Sequence, residues 1–478
     1  MDKINFKKYI PYLVALLAFV LISLIYFSPA LEGKKLKQGD IDRFKGMSKE
    51  ITDFKSTSGG ENTLWTNNMF SGMPAYFISV QFEGNLFKKI NKILQLGLPH
   101  PANQVFVYFI GFFILLLVMR VKPWIAALGA FAFAFSSYFF IIIEAGHNSK
   151  AAAVAYMAPV VAGIILTYRG KYLAGALLTA FFLALEISAN HLQITYYLFL
   201  IILVYGIFEL VETIRNKNWT HFVKATGVLL IAALLAVGTH ATSLLISSDH
   251  TQYTTRGKSE LTNNAPNKTS GLDRDYITQW SYGVTETMTL LVPDFMGGAS
   301  YGDAGEKSNM YDLLIKYRVP RNDAKAISAQ LPLYWGTQPF TSGPVYAGAI
   351  IIFLFIFGLF VVKGKLKWWL LTVTILSIML AWGKNFMWFT DLFLDIFPGY
   401  NKFRAVTMIL VIAEFAIPLL GILALSKIFE KERDDKALMK GLKYTVYILG
   451  GILLLLIAVP GMLFDFSNPG DTDFLSRI

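Results

Sequence analysis

The chain has 478 residues, of which 55% are hydrophobic, 15% aromatic and only 16% charged, and its mean hydropathy is +0.50. So much apolar surface cannot be buried in a water-soluble core, which excludes a soluble globular protein and predicts an integral membrane protein. The absence of cysteine excludes disulfides, thiolate metal sites and cysteine nucleophiles. The net charge of +11 lies mainly in short loops between apolar runs. No nucleic-acid-binding motif accompanies it, so we expect no nucleic acid partner.

The first apolar run extends from Tyr9 to Phe27 and follows three lysines. It is long enough to cross about 30 Å of hydrocarbon. The residues that follow it, SPALEGKK, form a poor cleavage site for a signal peptidase. We therefore predict an uncleaved membrane anchor.

Ten further apolar runs are long enough to span a membrane. They lie at residues 104–119, 123–143, 151–168, 172–188, 193–211, 224–246, 343–362, 367–382, 405–426 and 444–463. Together with the anchor, they predict an all-α polytopic membrane protein with about 11 transmembrane helices. Alternate connections carry most of the Lys and Arg residues, as in YRGKY after residue 167 and KGKLK after residue 362. Because cytoplasmic loops carry such an excess, this pattern predicts a cytoplasmic N-terminus.

This topology places two long loops, residues 28–103 and 247–342, on the outer side. The first loop contains NLFKKINKILQLGL, whose apolar residues follow helical spacing while its lysines take another face. The pattern predicts a helix that lies in the membrane interface or packs on other loop elements. The second loop is rich in Trp and Tyr, which suits interface anchoring or carbohydrate stacking. The last predicted span ends at residue 463, and the residues after it lie on the predicted outer side. We expect an outer domain to follow residue 478.

Polar residues gather at the predicted outer ends of the helices. Charged groups near hydrocarbon are costly and tend to face a cavity or a partner, which makes them candidates for a functional site. The candidates for substrate binding are Glu144, His147, Asn148, Glu186, Asn190, His191 and Gln193. The histidines, with Glu144, Glu186 and Asp40, could also hold a divalent metal, although no HExxH spacing is present. The structural alternative for each histidine is an ordinary residue at a helix end.

Other chemistries lack their motifs. The sequence contains no GxSxG elbow of a serine hydrolase and no P-loop for ATP. Glu414 lies about ten residues into the tenth predicted span. It is either part of a transport pathway or a single buried carboxyl that pairs with a neighbouring helix.

Several short segments carry a family resemblance. They are GDIDRF after the first helix, SGMPAYF at 71–77, ETMTLLVPDFMGG at 286–298 and YNKFRAVTMIL at 400–410. An acidic residue soon after the first helix resembles the GT-C glycosyltransferases, and the set of segments resembles the YfhO-like bacterial membrane proteins. The resemblance implies a GT-C-like domain over residues 1–478 that transfers a sugar, with inversion, from a polyprenyl-phosphate-linked donor. The acceptor would be an envelope glycan, lipid or protein at the outer face of the bacterial inner membrane.

The resemblance places the general base on Asp40, with Asp42 as the alternative. It implies no cofactor beyond the metal ion left open above. Departure of a polyprenyl phosphate leaves negative charge, so nearby cations should stabilise the transition state. Arg404 offers a planar fork for phosphate oxygens, and Lys150 and Lys402 offer point charges. Their alternative role is to extend towards lipid headgroups.

Two functions of other classes stay open. A transporter or flippase of a lipid-linked precursor would depend more on Glu414 than on Asp40. A non-catalytic envelope scaffold would depend on the region 251–340 and not on the acidic and basic residues.

Overall fold

A computed structural model describes residues 6–79, 84–257 and 265–463. The protein is predominantly helical, and within these ranges the only paired strands are β1 (Trp65–Thr66) and β2 (Met73–Pro74), which form an antiparallel hairpin. The prediction of an all-α membrane protein is therefore confirmed at the level of fold class. The final segment 464–478, on which the expectation of a further domain depends, lies outside the described residues.

The chain forms two compact units, Met1–Ala134 with Ile142–Thr254, and Phe135–Ile141 with Thr255–Ile478. The helices up to the end of the first unit are α1 (Ile10–Tyr26), α2 (Ser28–Leu31), α3 (Gly39–Met47), α4 (Lys49–Thr57), α5 (Leu86–Leu94), α6 (Ala102–Val118), α7 (Pro123–Ala134), α8 (Ser137–Glu144), α9 (Asn148–Tyr168), α10 (Tyr172–Ser188), α11 (Leu192–Asn216), α12 (Trp219–Gly238) and α13 (Ala241–Thr251). Helix α8 begins in the second unit and ends in the first.

The second unit continues with α14 (Arg274–Ile277), α15 (Asn309–Lys316), α16 (Arg321–Ser328), α17 (Ala349–Val361), α18 (Lys365–Ala381), α19 (Met387–Ile396), α20 (Leu410–Ile428), α21 (Asp435–Ala458) and α22 (Pro460–Leu463). Short 3₁₀ turns lie at Phe6–Lys8, Ala75–Phe77, Ala265–Asn267, Thr285–Leu290, Gly383–Phe386, Tyr400–Lys402 and Val406–Ile409.

Five helical segments in the described part of the chain are long and apolar enough to cross a membrane, namely α9, α11, α12, Val406–Ile428 and α21. Two bent pairs raise this number to seven if each pair is one span: α7 with α8, bent by 47°, and α18 with Gly383–Ile396, bent by 111°. Helices α1, α6, α10 and α17 are apolar but shorter. Apart from Gly383–Ile396, all of these segments overlap predicted apolar runs, so the protein is embedded in a membrane. The number of spans and their direction stay predictions.

Among the differences from the hydropathy pattern, two are accompanied by side-chain contacts. The predicted run 224–246 is broken between α12 and α13, where Thr239 Oγ1 donates a hydrogen bond to Ala236 O and pairs with His240 Nδ1, both at 2.7 Å. Such local side-chain bonds compete with continuation of a helix. The second difference is α19, which the hydropathy pattern does not predict. Its Asp391 forms an ion pair with Arg274, with a distance of 2.8 Å between Nε and Oδ1.

Each unit has one central helix. In α9 and in Val406–Ile428, 89% of the most apolar window is buried, whereas in α12 and α21 only 17% is buried. The apolar sides of the outer helices are therefore left for lipid to cover. The central helix α9 begins beside the first long loop, and this junction carries the first group of candidate residues.

Candidate functional site

The start of α3 is fixed to the segment between α8 and α9 by hydrogen bonds. Gln38 Nε2 donates to Ile143 O at 2.5 Å and to Asn148 Oδ1 at 3.1 Å. Gln38 Oε1 in turn accepts from Asn148 Nδ2 at 3.2 Å. The backbone N–H of Asp40 donates to Ala145 O at 3.4 Å. Because Gln38 is 5% exposed, these bonds hold the backbone before Asp40 in a defined position.

Gly146 allows the close approach of α3. Its φ of 91° lies in the region that favours glycine. A Cβ at this position would lie 3.2 Å from Gln38 Cβ and 3.3 Å from Asp40 Cβ. The side chains at the start of α3 therefore pack directly on the glycine backbone.

Asp40 and His147 form a pair at this junction. Asp40 Oδ2 lies 3.0 Å from His147 Nε2, and the two side chains are 44% and 39% exposed. Asp40 Oδ1 lies 3.5 Å from Arg43 Nη1. The Asp40 carboxylate is thus oriented by the imidazole ring of His147 and is accessible from solvent. Asp42 instead forms an ion pair with Lys45 at 3.1 Å and is 53% exposed.

Two further basic side chains belong to this cluster. Lys150, in the first turn of α9, is 4% exposed and interacts electrostatically with Asp40. His191, in the turn between α10 and α11, interacts electrostatically with Lys150 and His147. Burial and, secondly, the positive charge of Lys150 lower the pKa of His191 to about 4. His191 is therefore neutral at pH 7, whereas Lys150 places a buried basic group within electrostatic range of Asp40.

Four other predicted substrate-binding residues belong to this unit, of which two are buried and two are exposed. Glu186 is fully buried, and both of its carboxylate oxygens accept from Thr195 Oγ1 at 3.0 Å. Gln193 Nε2 donates to Tyr197 OH at 2.7 Å. The side chains of Glu144 and Asn190 are exposed. Glu186 and Gln193 thus have structural contacts of their own, and a role in substrate binding stays a prediction for all four residues.

The cations Lys402 and Arg404 belong to the second unit, where neighbouring groups hold both. Lys402 Nζ donates to Arg256 O at 2.8 Å and to Ser270 O at 2.6 Å, and partial burial lowers its pKa. Arg404 Nη1 donates to Tyr276 OH at 2.6 Å, and its guanidinium lies 5.1 Å from the centroid of the Tyr276 ring. Phosphate binding by these residues stays a prediction.

The second unit also contains a buried carboxylate, Glu286, to which the sequence patterns assign no role. Glu286 is 4% exposed. Its Oε1 accepts from Tyr334 OH at 2.9 Å and from Gln338 Nε2 at 2.8 Å, and its Oε2 accepts from Gly283 N at 2.9 Å. Burial raises its pKa, although the three hydrogen bonds act in the opposite direction. In the sequence it is the acid that begins the ETMTLLVPDFMGG segment, but its partners cannot be read there, because the tyrosine and glutamine follow 48 and 52 residues later.

Glu414 is a third carboxyl with a defined environment. It is 1% exposed, and its Oε2 accepts from Ser136 Oγ at 2.7 Å. Among the residues described, its Oε1 has no hydrogen-bond partner. Ser136 lies in the break between α7 and α8. This is the arrangement expected of a single buried carboxyl that pairs with a neighbouring segment.

A metal site is not assembled in the part of the chain that the structure describes. No group of three or more His, Asp or Glu side chains there is placed to hold a metal ion. The histidines and acids at the ends of the helices therefore do not form the divalent site that their sequence positions allowed.

No protein-family model, curated protein or solved structure matches this chain. A function must therefore be argued from the sequence patterns and from the geometry of the cluster around Asp40.

Proposed function

We propose that the protein is a membrane glycosyltransferase of the GT-C type. It would move a sugar from a polyprenyl-phosphate-linked donor to an acceptor of the cell envelope. The observation that carries this proposal is the pair of Asp40 and His147, with Asp40 Oδ2 3.0 Å from His147 Nε2. A carboxylate that is oriented and also accessible is what a general base requires. Its place beside the start of the membrane helix α9, which follows His147, is where the sugar of a lipid-linked donor would be presented.

The proposed reaction assigns one step to Asp40. Its carboxylate accepts the proton of the acceptor hydroxyl while that oxygen attacks the anomeric carbon. The bond from the anomeric carbon to the phosphate oxygen breaks, and the polyprenyl phosphate leaves as an anion. His147 orients the carboxylate through Oδ2, and Lys150 is a buried basic group that interacts electrostatically with it.

The topology belongs to the same proposal. We place about eleven transmembrane helices in a bacterial inner membrane, with a cytoplasmic N-terminus and with loops 28–103 and 247–342 on the outer face. The distribution of Lys and Arg over alternate connections supports this direction. Asp40 then faces the periplasm or the exterior.

The phosphate role of the cations needs its own test. Arg404→Lys keeps a positive charge but loses the planar fork, so a phosphate ligand should be impaired by this change. A normal apparent KM for the donor in Arg404→Lys would exclude a bidentate contact.

The test of the proposed function compares envelope glycans, glycolipids and glycoproteins by mass spectrometry. Cells would carry the wild type, a deletion, Asp40→Asn or Asp42→Asn at equal protein levels. Asp42→Asn is the matched control, because Asp42 lies on the same helix and pairs with Lys45 instead of His147. We expect the deletion and Asp40→Asn to lose the same sugar from the same acceptor, while Asp42→Asn keeps it. A normal sugar pattern in Asp40→Asn would exclude Asp40 as the base.

A second candidate function is transport of a lipid-linked precursor between leaflets. It is favoured by Glu414, which lies in a membrane helix. Its Oε1 has no hydrogen-bond partner among the described residues, and its Oε2 accepts from Ser136 at the break in a bent span. A transporter should lose lipid movement in Glu414→Gln without any change in glycosidic bonds. A transferase should tolerate this neutral isostere.

A further inference from the structure

One side of helix α5 is fastened to three membrane helices of its unit. Phe87 packs against a buried cluster that includes Ala184 of α10 and Ala236 of α12. Asn91 Oδ1 accepts a hydrogen bond from Tyr156 OH of α9 at 2.5 Å. These contacts fix the rotation of α5 about its axis, and so they determine which residues face outwards.

A second side of α5 exposes large apolar side chains. Leu86 and Ile93 are two helical turns apart and are 62% and 71% exposed. The adjacent helix α12 exposes Leu234 and Leu235 within one turn of Ala236, at 71% and 64%. Lipid must cover these leucines, because α12 is a candidate membrane span of which only 17% is buried. Helix α5 thus packs, through Phe87, against a helix whose exposed side contacts lipid.

A third side of α5 is positively charged. Lys88, Lys89 and Lys92 are all exposed, and α5 contains no acidic residue. Lysines beside an apolar side that enters the bilayer are the usual pattern of helices that lie on anionic membranes, where the ammonium groups contact the headgroups.

We propose that α5 is a membrane-surface anchor that recognises anionic phospholipid. It lies in the interface of one leaflet, with Leu86 and Ile93 at the boundary of the acyl chains and with its lysines among the headgroups. The anchor sets the depth of the first loop, which also carries Asp40. It does not depend on the proposed transferase activity.

The absence of cysteine from the sequence allows a direct test with nitroxide labels at single introduced cysteines. The full chain would be reconstituted in vesicles of phosphatidylcholine and phosphatidylglycerol as Leu86→Cys or Ile93→Cys. Leu234→Cys supplies a lipid-covered reference, and Ser56→Cys, on the exposed surface of α4, supplies a water-exposed reference. Power saturation then compares collisions with oxygen, which is enriched in lipid, and with a water-soluble nickel chelate.

We expect the labels at positions 86 and 93 to collide more with oxygen than with the nickel chelate, as at position 234. Nickel access equal to that at position 56 would overturn the proposal. Low access to both reagents would overturn it as well, because protein and not lipid would then cover the helix.

The lysines are tested by Lys88→Gln, Lys89→Gln and Lys92→Gln together, with the label at position 93. We expect a shift towards shallower depth in vesicles with phosphatidylglycerol and no shift in phosphatidylcholine alone. An unchanged depth in both kinds of vesicle would overturn the assignment of the lysines to anionic headgroups.

Discussion

Asp40 in the first long loop and Glu286 in the second are carboxylates that neighbouring groups hold in opposite ways. Asp40 is 44% exposed and its partner is a titratable histidine. Glu286 is 4% exposed, and it accepts from a backbone N–H, a tyrosine hydroxyl and an amide. The second set of donors is neutral and fixed in position.

The difference separates a carboxylate that can react from one that holds a fold together. A general base must reach its substrate and exchange a proton with it. A buried acceptor with three fixed donors has little access to substrate, and its removal leaves buried donors without partners. We therefore expect substitutions of Asp40 to change the reaction, and substitutions of Glu286 to change stability.

The largest effect on stability is expected for Glu286→Ala. The change removes the buried acceptor to which Gly283 N–H, Tyr334 OH and Gln338 Nε2 donate. We expect the free energy of unfolding to fall by about 2–4 kcal/mol. Unfolding in detergent micelles would measure it. The control is Glu306→Ala, which removes an exposed ion pair with Lys325 and should have little effect. Equal small effects of the two variants would contradict a structural role for Glu286.

Gly146→Ala tests how tightly α3 is docked. The positive φ alone is expected to cost about 1–3 kcal/mol, and the new methyl group would press on Gln38 and Asp40. The control is Gly170→Ala, whose φ of 83° is similar but whose Cβ would meet nothing within 4 Å. We expect a larger loss of stability and of sugar transfer in Gly146→Ala. Equal losses in the two variants would show that α3 is not packed closely on Gly146.

His147→Gln tests the partner of Asp40. Because the two side chains are 39% and 44% exposed, loss of the pair should cost only about 0–1 kcal/mol of stability. We expect a nearly unchanged melting temperature, whereas transfer should slow by about tenfold or more with a changed pH–rate profile, because a general base must be correctly oriented. His250→Gln is the control, because His250 stacks on Phe77. A melting temperature that falls in parallel with activity would indicate a purely structural histidine.

The pH dependence of stability distinguishes the two carboxylates further. Because the pKa of Glu286 is raised in the folded protein, its favourable contribution is present below the ordinary value of 4.5 and is lost as the pH rises through the folded pKa. We expect wild-type protein to lose stability relative to Glu286→Gln as the pH rises above 4.5. Melting temperatures of both proteins across this range would show the change. A difference that grows in the opposite direction would contradict the raised pKa.

Helix positions could be predicted well because lipid requires continuous apolar stretches, as in α9 and α21. The break at Thr239 and His240 could not, because two side-chain hydrogen bonds decide it. Helix α19 forms an ion pair through Asp391 with Arg274, which is far away in sequence, so the sequence pattern does not reveal this contact.

The residues of the candidate site could be singled out, but their pairing could not. Asp40, His147 and Asn148 are all polar residues next to predicted spans. Their contact depends on Gln38, which pairs with a residue 110 positions away and has no sequence signal of its own. The role of Glu286 could not be predicted for the same reason, because its hydrogen-bond donors come together only in the folded second loop.

The most direct test measures sugar transfer and thermal stability side by side in purified Asp40→Asn and Glu286→Gln. The donor and acceptor would be those that the envelope comparison identifies. We expect Asp40→Asn to keep the wild-type melting temperature while its transfer rate falls by about 10²–10⁴-fold. Glu286→Gln should change the melting temperature and keep the transfer rate per folded molecule. Wild-type transfer by Asp40→Asn, with the activity lost instead in a stably folded Glu286→Gln, would contradict the assignment of the two carboxylates.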